Sequence, residues 1–340
     1  YTPQALSALK NYQETYSCSD RIVHDVWKNV LEGFADGSAA MTVVFINYAS
    51  HILNSKMSSI AGKLGFAPVP GGVPLLGGGV VGDLAGFVAA TYMRGVPVVQ
   101  VPTTLLSMVD SSVGGKTGVN LAAGKNLVGA FKQPAYVCAD TATLATLDER
   151  EWACGCAEIA KSAVIDSDDF FFWLVDAAGA LAARDEVVVE EAIARSVVFK
   201  ADVVAADKSE SKGVRECLNY GHTLGHAVES LAGYGAFSHG AAVAEGMRFA
   251  ARMAVSLVDA PLDLVETQDS LLDQLGLPAL DWSAEPEAML EAMKRDKKAR
   301  HGQVRFVLPR DVGSRELRDV DDAVILEHLE AWARSKEERS

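Results

Sequence analysis

Residues 77–101 read GGGVVGDLAGFVAATYMRGVPVVQV: a glycine-rich turn, an apolar stretch closed off by Asp83 and Arg94, and a β-branched run from Val96 to Val101. Turn, helix and strand in that order are the repeating unit of an α/β layer. Working outward, Thr42–Ile46 upstream and Tyr136–Ala139 downstream are further short apolar runs, and Ile22–Phe34 and Asp83–Met93 read as helices. Continuous apolar strands suit a parallel sheet covered on both faces. From about Leu147 the texture changes to alanine-rich segments of helical period: Glu149–Ile165, Phe170–Ala183, Val187–Ala206, Gly221–Leu231 and Ala241–Leu257. Val304–Leu308 is the one late strand expected there. The reading is an α/β domain over residues 1–147 followed by an all-α domain over residues 148–340.

The chain has 340 residues, long enough for two domains, and 49% of them are hydrophobic, too many for a disordered chain. With 31 basic and 45 acidic side chains its net charge is −14, which argues against nucleic acid or an anionic membrane surface as partner. No apolar run approaches the roughly 20 residues of a membrane span, and the first residues carry no basic, apolar leader pattern. Five scattered cysteines (Cys18, Cys138, Cys154, Cys156 and Cys217) make no disulfide or C-x-x-C framework and read as inert thiols of a reducing cytoplasm.

Three groups of residues could carry chemistry. Gly77, Gly79 and Gly82 form a G-x-G-x-x-G at a helix start, where backbone N–H groups and the helix dipole suit a phosphate. No acid follows at the distance of about 20 residues that a standard dinucleotide fold uses for a ribose, so the expectation is a nucleotide site of another kind. Residues 94–134 carry Arg94, Lys116, Lys125 and Lys132 against the single acid Asp110, a local reversal of sign in an acidic chain. There Gly114–Gly118 and Gly124–Asn126 read as glycine-rich loops that set lysines against an anion. Three of the seven histidines, His222, His226 and His239, fall within one short stretch. On a helix His222 and His226 face the same way and could share a metal; Thr223 after the first histidine removes the protease glutamate of H-E-x-x-H.

Taken with Val101–Leu106, Val109–Asn120, Gly124–Asn126 and Asn219–His226, these pieces closely resemble the 3-dehydroquinate synthase family, in order and in spacing, from about Val69 to Leu308. The resemblance implies an α/β nucleotide-binding domain plus an all-α domain. It also implies the second step of the shikimate route, closing a heptulosonate 7-phosphate to 3-dehydroquinate with loss of phosphate. NAD⁺ is used without net consumption, with a divalent metal, zinc or cobalt, and the departing phosphate can serve as the base. The implied metal ligands are Glu158, His222 and His239, which moves His226 from metal to substrate. Arg94, Lys116, Asn126, Asn219 and His226 would serve the phosphate side, Lys200 and Arg215 the carboxylate, and Lys161 the hydroxyls. Asp110 would orient substrate or lysines, and Lys297 of the Asp296-Lys297-Lys298 triplet would add a cation. For NAD⁺ the resemblance implies Gly79, Val80, Val81, Gly82 and Asp83 at the pyrophosphate, with Thr103, Thr104, Lys116, Lys125, Thr143, Leu144, Ala145 and Thr146 lining the rest. It implies a homodimer, with Arg94 reaching across the interface.

The chain departs from the family between Gly72 and Gly77, where only four residues stand in place of a crossover that needs a dozen or more; this puts the ribose side of the cofactor site in question. Relatives on the same scaffold cyclise other sugar phosphates, to 2-epi-5-epi-valiolone, 2-deoxy-scyllo-inosose or amino-dehydroquinate. The run Asp110–Lys116 and the pair Lys200 and Arg215 favour the dehydroquinate branch. A metal-dependent polyol dehydrogenase would not need so many cations.

Overall fold

The computed structural model describes residues 79–121, 124–208, 210–233, 235–296 and 303–337. The strand expected at Thr42–Ile46, the helix at Ile22–Phe34, Cys18, Gly77 and Lys297 lie outside the described residues, as does the shortened stretch after Gly72. The chain divides into two units, one formed by 1–103 with 111–140 and the other by 104–110 with 141–340.

In the first unit the helix foreseen after the glycine turn is α1, Gly79–Thr91, which buries Ala85, Gly86 and Ala89. The chain then reverses through Met93, Arg94 and Gly95, all at positive φ, and Val96 N–H donates back to the Ala89 carbonyl at 2.8 Å. Ala89, Val96 and Val98 close a small core there. Strand β1, Val99–Gln100, pairs in parallel with β4, Tyr136–Val137. The segments expected as lysine-bearing glycine loops are largely strand instead: β2, Lys116–Leu121, and β3, Gly124–Phe131, form an antiparallel hairpin with Thr117 opposite Ala130. Glycine and lysine are poor strand formers; pairing overrides that preference, and Thr117 Oγ1 also donates to the Ala130 carbonyl at 2.8 Å.

The second unit is helical, and its helices begin where an acceptor side chain can take up a free N–H of the first turn. Asp148 caps α2 (Glu149–Asp166), Ser167 caps α3 (Asp168–Ala182) and Asp185 caps α4 (Glu186–Ala206). A 3-10 turn, Val214–Asn219, leads into α5 (His222–Ala232), and Ser238 caps α6 (His239–Val258). Helices α7 (Leu262–Gln274), α8 (Pro286–Asp296) and α9 (Asp322–Glu337) complete it. Helix α2 runs through the centre, buried almost continuously from Trp152 to Ile165. Around it Ile159, Phe170, Phe171, Leu174 and Tyr220 form one core, while Phe249, Met289, Phe306, Ile325 and Leu329 belong to a second.

One strand was expected in this half; there are two. Residues Val304–Asp311 (β5) pair with Ser314–Val320 (β6) as an antiparallel hairpin, Val304 opposite Val320. The partner strand, SRELRDV, is mostly charged and has only its last residue fully buried, so it carries no apolar pattern to read. Among the described residues no helix is long and apolar enough to cross a membrane.

Candidate active site

The chemistry-bearing side chains of the second unit converge on the middle of α2. Glu158 and Lys161 are one helical turn apart there, on a common face, and at 1% and 2% exposure both are buried. A buried charge is costly unless it is paired, and here Lys161 Nζ pairs with Glu158 Oε2 and, at 3.3 Å, with Asp110 Oδ1. Asp110 arrives on a π-helical turn, Ser107–Ser111, a rare backbone form common at functional positions. Lys200, from α4, reaches the same residue, 2.8 Å from Oδ1 and donating to the Asp110 carbonyl at 2.6 Å. Glu158, Lys161, Asp110 and Lys200 thus form one chain of alternating charge.

Two tight approaches bring the histidines to Glu158. Gly221, at φ +77°, lies so close to α6 that a Cβ would stand 2.6 Å from the Val243 carbonyl oxygen. Gly240 touches α2, where a Cβ would overlap the Cα of Cys154. These contacts place His222, first residue of α5, and His239, first residue of α6, with their rings 5.3 Å apart. Their Nε2 atoms stand 3.5 and 3.6 Å from Glu158 Oε1, which makes no hydrogen bond of normal geometry although it is buried. His222 Nδ1 lies 3.1 Å from the Tyr220 carbonyl oxygen. A carbonyl only accepts, so Nδ1 carries the proton and Nε2 keeps its lone pair toward Glu158.

The electrostatics agree with this arrangement. Burial lowers the His222 pKa to about 3 against the pull of Glu158, so its imidazole is neutral, the form that ligates a metal. Burial also opposes charge on His239, but the carboxylates of Glu158 and Glu229 win and raise it to about 9, so a metal binding there displaces a proton from its ring. Glu158 is held well below the usual carboxylate range: burial works against its charge, and Lys161, with the charged His239, outweighs that. Asp110 is lowered by Lys161 and Lys200 despite burial, whereas burial draws Lys200 below its ordinary value. The potential ligand atoms of Glu158, His222 and His239 lie within 4.8 Å of one another, and so do those of His226, Glu229 and His239. A carboxylate oxygen buried without a hydrogen bond and faced by two imidazole nitrogens is a donor set that suits a divalent metal such as zinc or cobalt.

Residues 72–154 match the 3-dehydroquinate synthase N-terminal family and residues 155–299 the 3-dehydroquinate synthase C-terminal family. The 3-dehydroquinate synthase of Nitrosomonas europaea is 49% identical over 257 residues, 75% of this chain and 69% of that enzyme. The chain belongs to the 3-dehydroquinate synthase family. The enzyme of the same name from Rhodopirellula baltica is 52% identical over 241 residues, 71% of this chain but 64% of its own length, so the chain spans about two thirds of the curated relatives it matches. Among solved structures, a 2-deoxy-scyllo-inosose synthase complexed with carbaglucose-6-phosphate, NAD⁺ and Co²⁺ aligns with a TM-score of 0.67 at 31% identity, covering 75% of this chain and 72% of that one.

Within this 3-dehydroquinate synthase fold the remaining residues named from the sequence fall as follows. His226 lies one turn beyond His222 on α5, with the two rings 5.4 Å apart. Arg215 is buried in the 3-10 turn that ends at Asn219, and its guanidinium donates to the Lys208 carbonyl at 3.4 Å. Thr104 is buried and shares a hydrogen bond with Ser107. Thr143, Leu144, Ala145 and Thr146 form a 3-10 turn whose Leu144 side chain is in the core. In the first unit, Gly79, Val80, Val81, Gly82 and Asp83 make the opening turn of α1, Thr103 is half-buried, and Arg94 and Lys116 are exposed. Lys125 and Asn126 lie in β3. Cys154 and Cys156 fit the inert reading, since burial pushes both thiols up to about 12.

Two residues of this neighbourhood escaped the sequence reading. Glu229 stands 3.3 Å from His239 Nδ1, and the run His222, His226, Glu229 at helical spacing was its available signal. Asp207 caps the loop before Arg215, its carboxylate accepting from the N–H groups of Ser211 at 2.9 Å and of Lys212 and Val214 at 3.2 Å. Nothing in the local sequence marks that role.

Proposed function

We propose that this member of the family converts 3-deoxy-D-arabino-heptulosonate 7-phosphate into 3-dehydroquinate and phosphate, as a carbon–oxygen lyase of the shikimate route. The observation that carries the reading is the buried Glu158 faced by two imidazole Nε2 atoms and continued by Lys161, Asp110 and Lys200, in a chain about half identical to curated 3-dehydroquinate synthases.

Glu158, His222 and His239 would hold the metal, and the NAD⁺ residues would be those named from the sequence: Gly79–Asp83, Thr103, Thr104, Lys116, Lys125 and Thr143–Thr146. When bound, a divalent metal acidifies substrate hydroxyls and NAD⁺ takes up and returns a hydride, with no net redox change. The chain's own part is positioning and charge. Lys161 stays protonated between Glu158 and Asp110 and presents a fixed cation beside the hydroxyls. Asp110 fixes the two ammonium groups at a defined separation, so that Lys200, with Arg215, meets the substrate carboxylate. His226, Asn219, Arg94, Lys116, Asn126 and Lys297 serve the phosphate and its surroundings. Such preorganised charge acts on a polyanion without reorganisation at the moment of reaction. The same reading makes the protein a homodimer of the cytoplasm, consistent with its free cysteines.

The test is phosphate release from the heptulosonate 7-phosphate with NAD⁺ and zinc or cobalt. One phosphate and one dehydroquinate per substrate, with no NADH accumulating, is the expected result. Accumulating NADH would assign a polyol dehydrogenase instead. Turnover of another sugar phosphate alone would move the chain to a sister branch of the cyclases.

A further inference from the structure

His239 is the only residue common to the two ligand triplets found among the described residues. Its ring has a carboxylate at each nitrogen: Glu158 Oε1 at 3.6 Å from Nε2, on α2, and Glu229 Oε2 at 3.3 Å from Nδ1, on α5. The ring is clamped as well, stacked on His226 at 6.1 Å and edge-on to His222 at 5.3 Å. We infer that Glu229 is a positioning residue for the metal centre: its carboxylate accepts the Nδ1 proton of His239, which fixes the tautomer and turns Nε2 toward Glu158. The second triplet is then the outer support of one metal rather than a second metal site.

The argument rests on acceptor chemistry. An ionised carboxylate only accepts, and of the two that face the ring Glu229 is the nearer, within hydrogen-bonding distance of Nδ1, while Glu158 stands beyond it from Nε2; a metal seated between Nε2 and Glu158 would take the lone pair of Nε2 and leave the proton on Nδ1. The Tyr220 carbonyl does for His222 what Glu229 does for His239. With a metal in place the two imidazoles would present Nε2 in the same tautomer, by unrelated means, one through a backbone acceptor and the other through a charged side chain. Outer partners of this kind orient the ligand and raise its basicity, and losing one costs about 10–100-fold in metal affinity.

The inference rests on the metal assignment proposed above, and the experiment separates the two. Cobalt(II) alone is titrated into metal-free wild type and into the Glu229→Ala, Glu229→Gln and Glu158→Gln variants, with a competing chelator and the visible spectrum as readouts. The nitrogen-15 shifts of His239 are recorded in the zinc-loaded proteins. Expected are one cobalt per wild-type chain, affinity weaker by about 10–100-fold in Glu229→Ala, and loss of most of that defect in Glu229→Gln, whose amide oxygen still accepts from Nδ1. The Nδ1–H signature should persist in wild type and Glu229→Gln. Wild-type affinity in Glu229→Ala would overturn the inference, as would a second cobalt per wild-type chain lost on mutation. If Glu229→Ala does not fold, a Glu229→Gln protein lacking the Nδ1–H signature overturns it equally. Failure of the metal assignment is a different result: cobalt bound as tightly by Glu158→Gln as by wild type.

Discussion

Glu158 and Glu245 are both glutamates on long helices, each 1% exposed, and the protein treats them in opposite ways. Glu245, on α6, is saturated: Leu280 N–H donates to Oε2 at 2.9 Å, Trp332 Nε1 to Oε1 at 2.6 Å, and Lys336 completes the set from α9. Glu158, on α2, has a single cation at one oxygen and two imidazole nitrogens at more than hydrogen-bonding distance from the other. Native cores satisfy nearly all their buried polar groups, and the exceptions call for an explanation. Glu245 ties α6, the 276–280 turn and α9 together and has nothing left to bind. Glu158 keeps an oxygen in reserve. Burial alone therefore does not mark a functional carboxylate; incomplete satisfaction beside imidazole nitrogens does.

If that distinction is right, the two glutamates fail differently when changed. The largest effect expected is on catalysis: Glu158→Gln or His239→Ala should cut kcat/KM by about a thousandfold or more, since metal stabilisation of developing charge is worth several kcal/mol. Metal content should fall in parallel, while the urea midpoint of the metal-free His239→Ala protein stays near wild type. A fully active, metal-loaded His239→Ala protein would break the comparison. Next, Asp110→Asn leaves Lys161 and Lys200 without their shared anchor and should lower kcat/KM by about a hundredfold, the scale of a misplaced catalytic group, with metal content unchanged. Steady-state kinetics beside metal analysis reads both.

Glu245→Ala sharpens the contrast from the other side. Removing one partner of a buried ion pair costs about 3–5 kcal/mol, here by stranding Lys336. Urea unfolding should show that loss, while the folded fraction keeps its metal and its turnover. The smallest effect concerns Asp207. Burial works against its charge, but the N–H groups of Lys212, Ser211 and Val214 outweigh this and lower its pKa. A lowered folded value stabilises the protein above the ordinary carboxyl range, about pH 4, and that contribution fades as pH falls through the folded pKa. The stability difference between wild type and Asp207→Asn should shrink accordingly below pH 4; a difference independent of pH would remove the capping role.

Much of the architecture was legible because periodicity and caps agree. The 3.6-residue pattern placed α2 to α6 within a few residues of their observed ends, and Asp148, Ser167, Asp185 and Ser238 stand where each chain segment turns helical. The two hairpins were not legible, for one reason in two guises. Lys116–Phe131 is rich in glycine and lysine, and Ser314–Val320 in charge; neither has the alternation that marks a half-buried strand. Their partners, not their own side chains, make them strands.

The site divides along similar lines. Spacing along the chain singled out His222 and His226, because helical neighbours four apart face the same way, while the ligand set Glu158, His222 and His239 and the place of Lys161 came from the family resemblance. Family membership follows from that same one-dimensional order. Folding alone settled which side chains meet across 50 to 90 residues of sequence: Asp110 with Lys161 and Lys200, and His239 with Glu158. It also settled that His222 turns Nε2 to Glu158, with Nδ1 on the Tyr220 carbonyl. Those features depend on how closely helices pack, at Gly221 and Gly240 above all. A sequence pattern carries the direction in which a side chain leaves its own helix, and only the packed helices supply what it meets there.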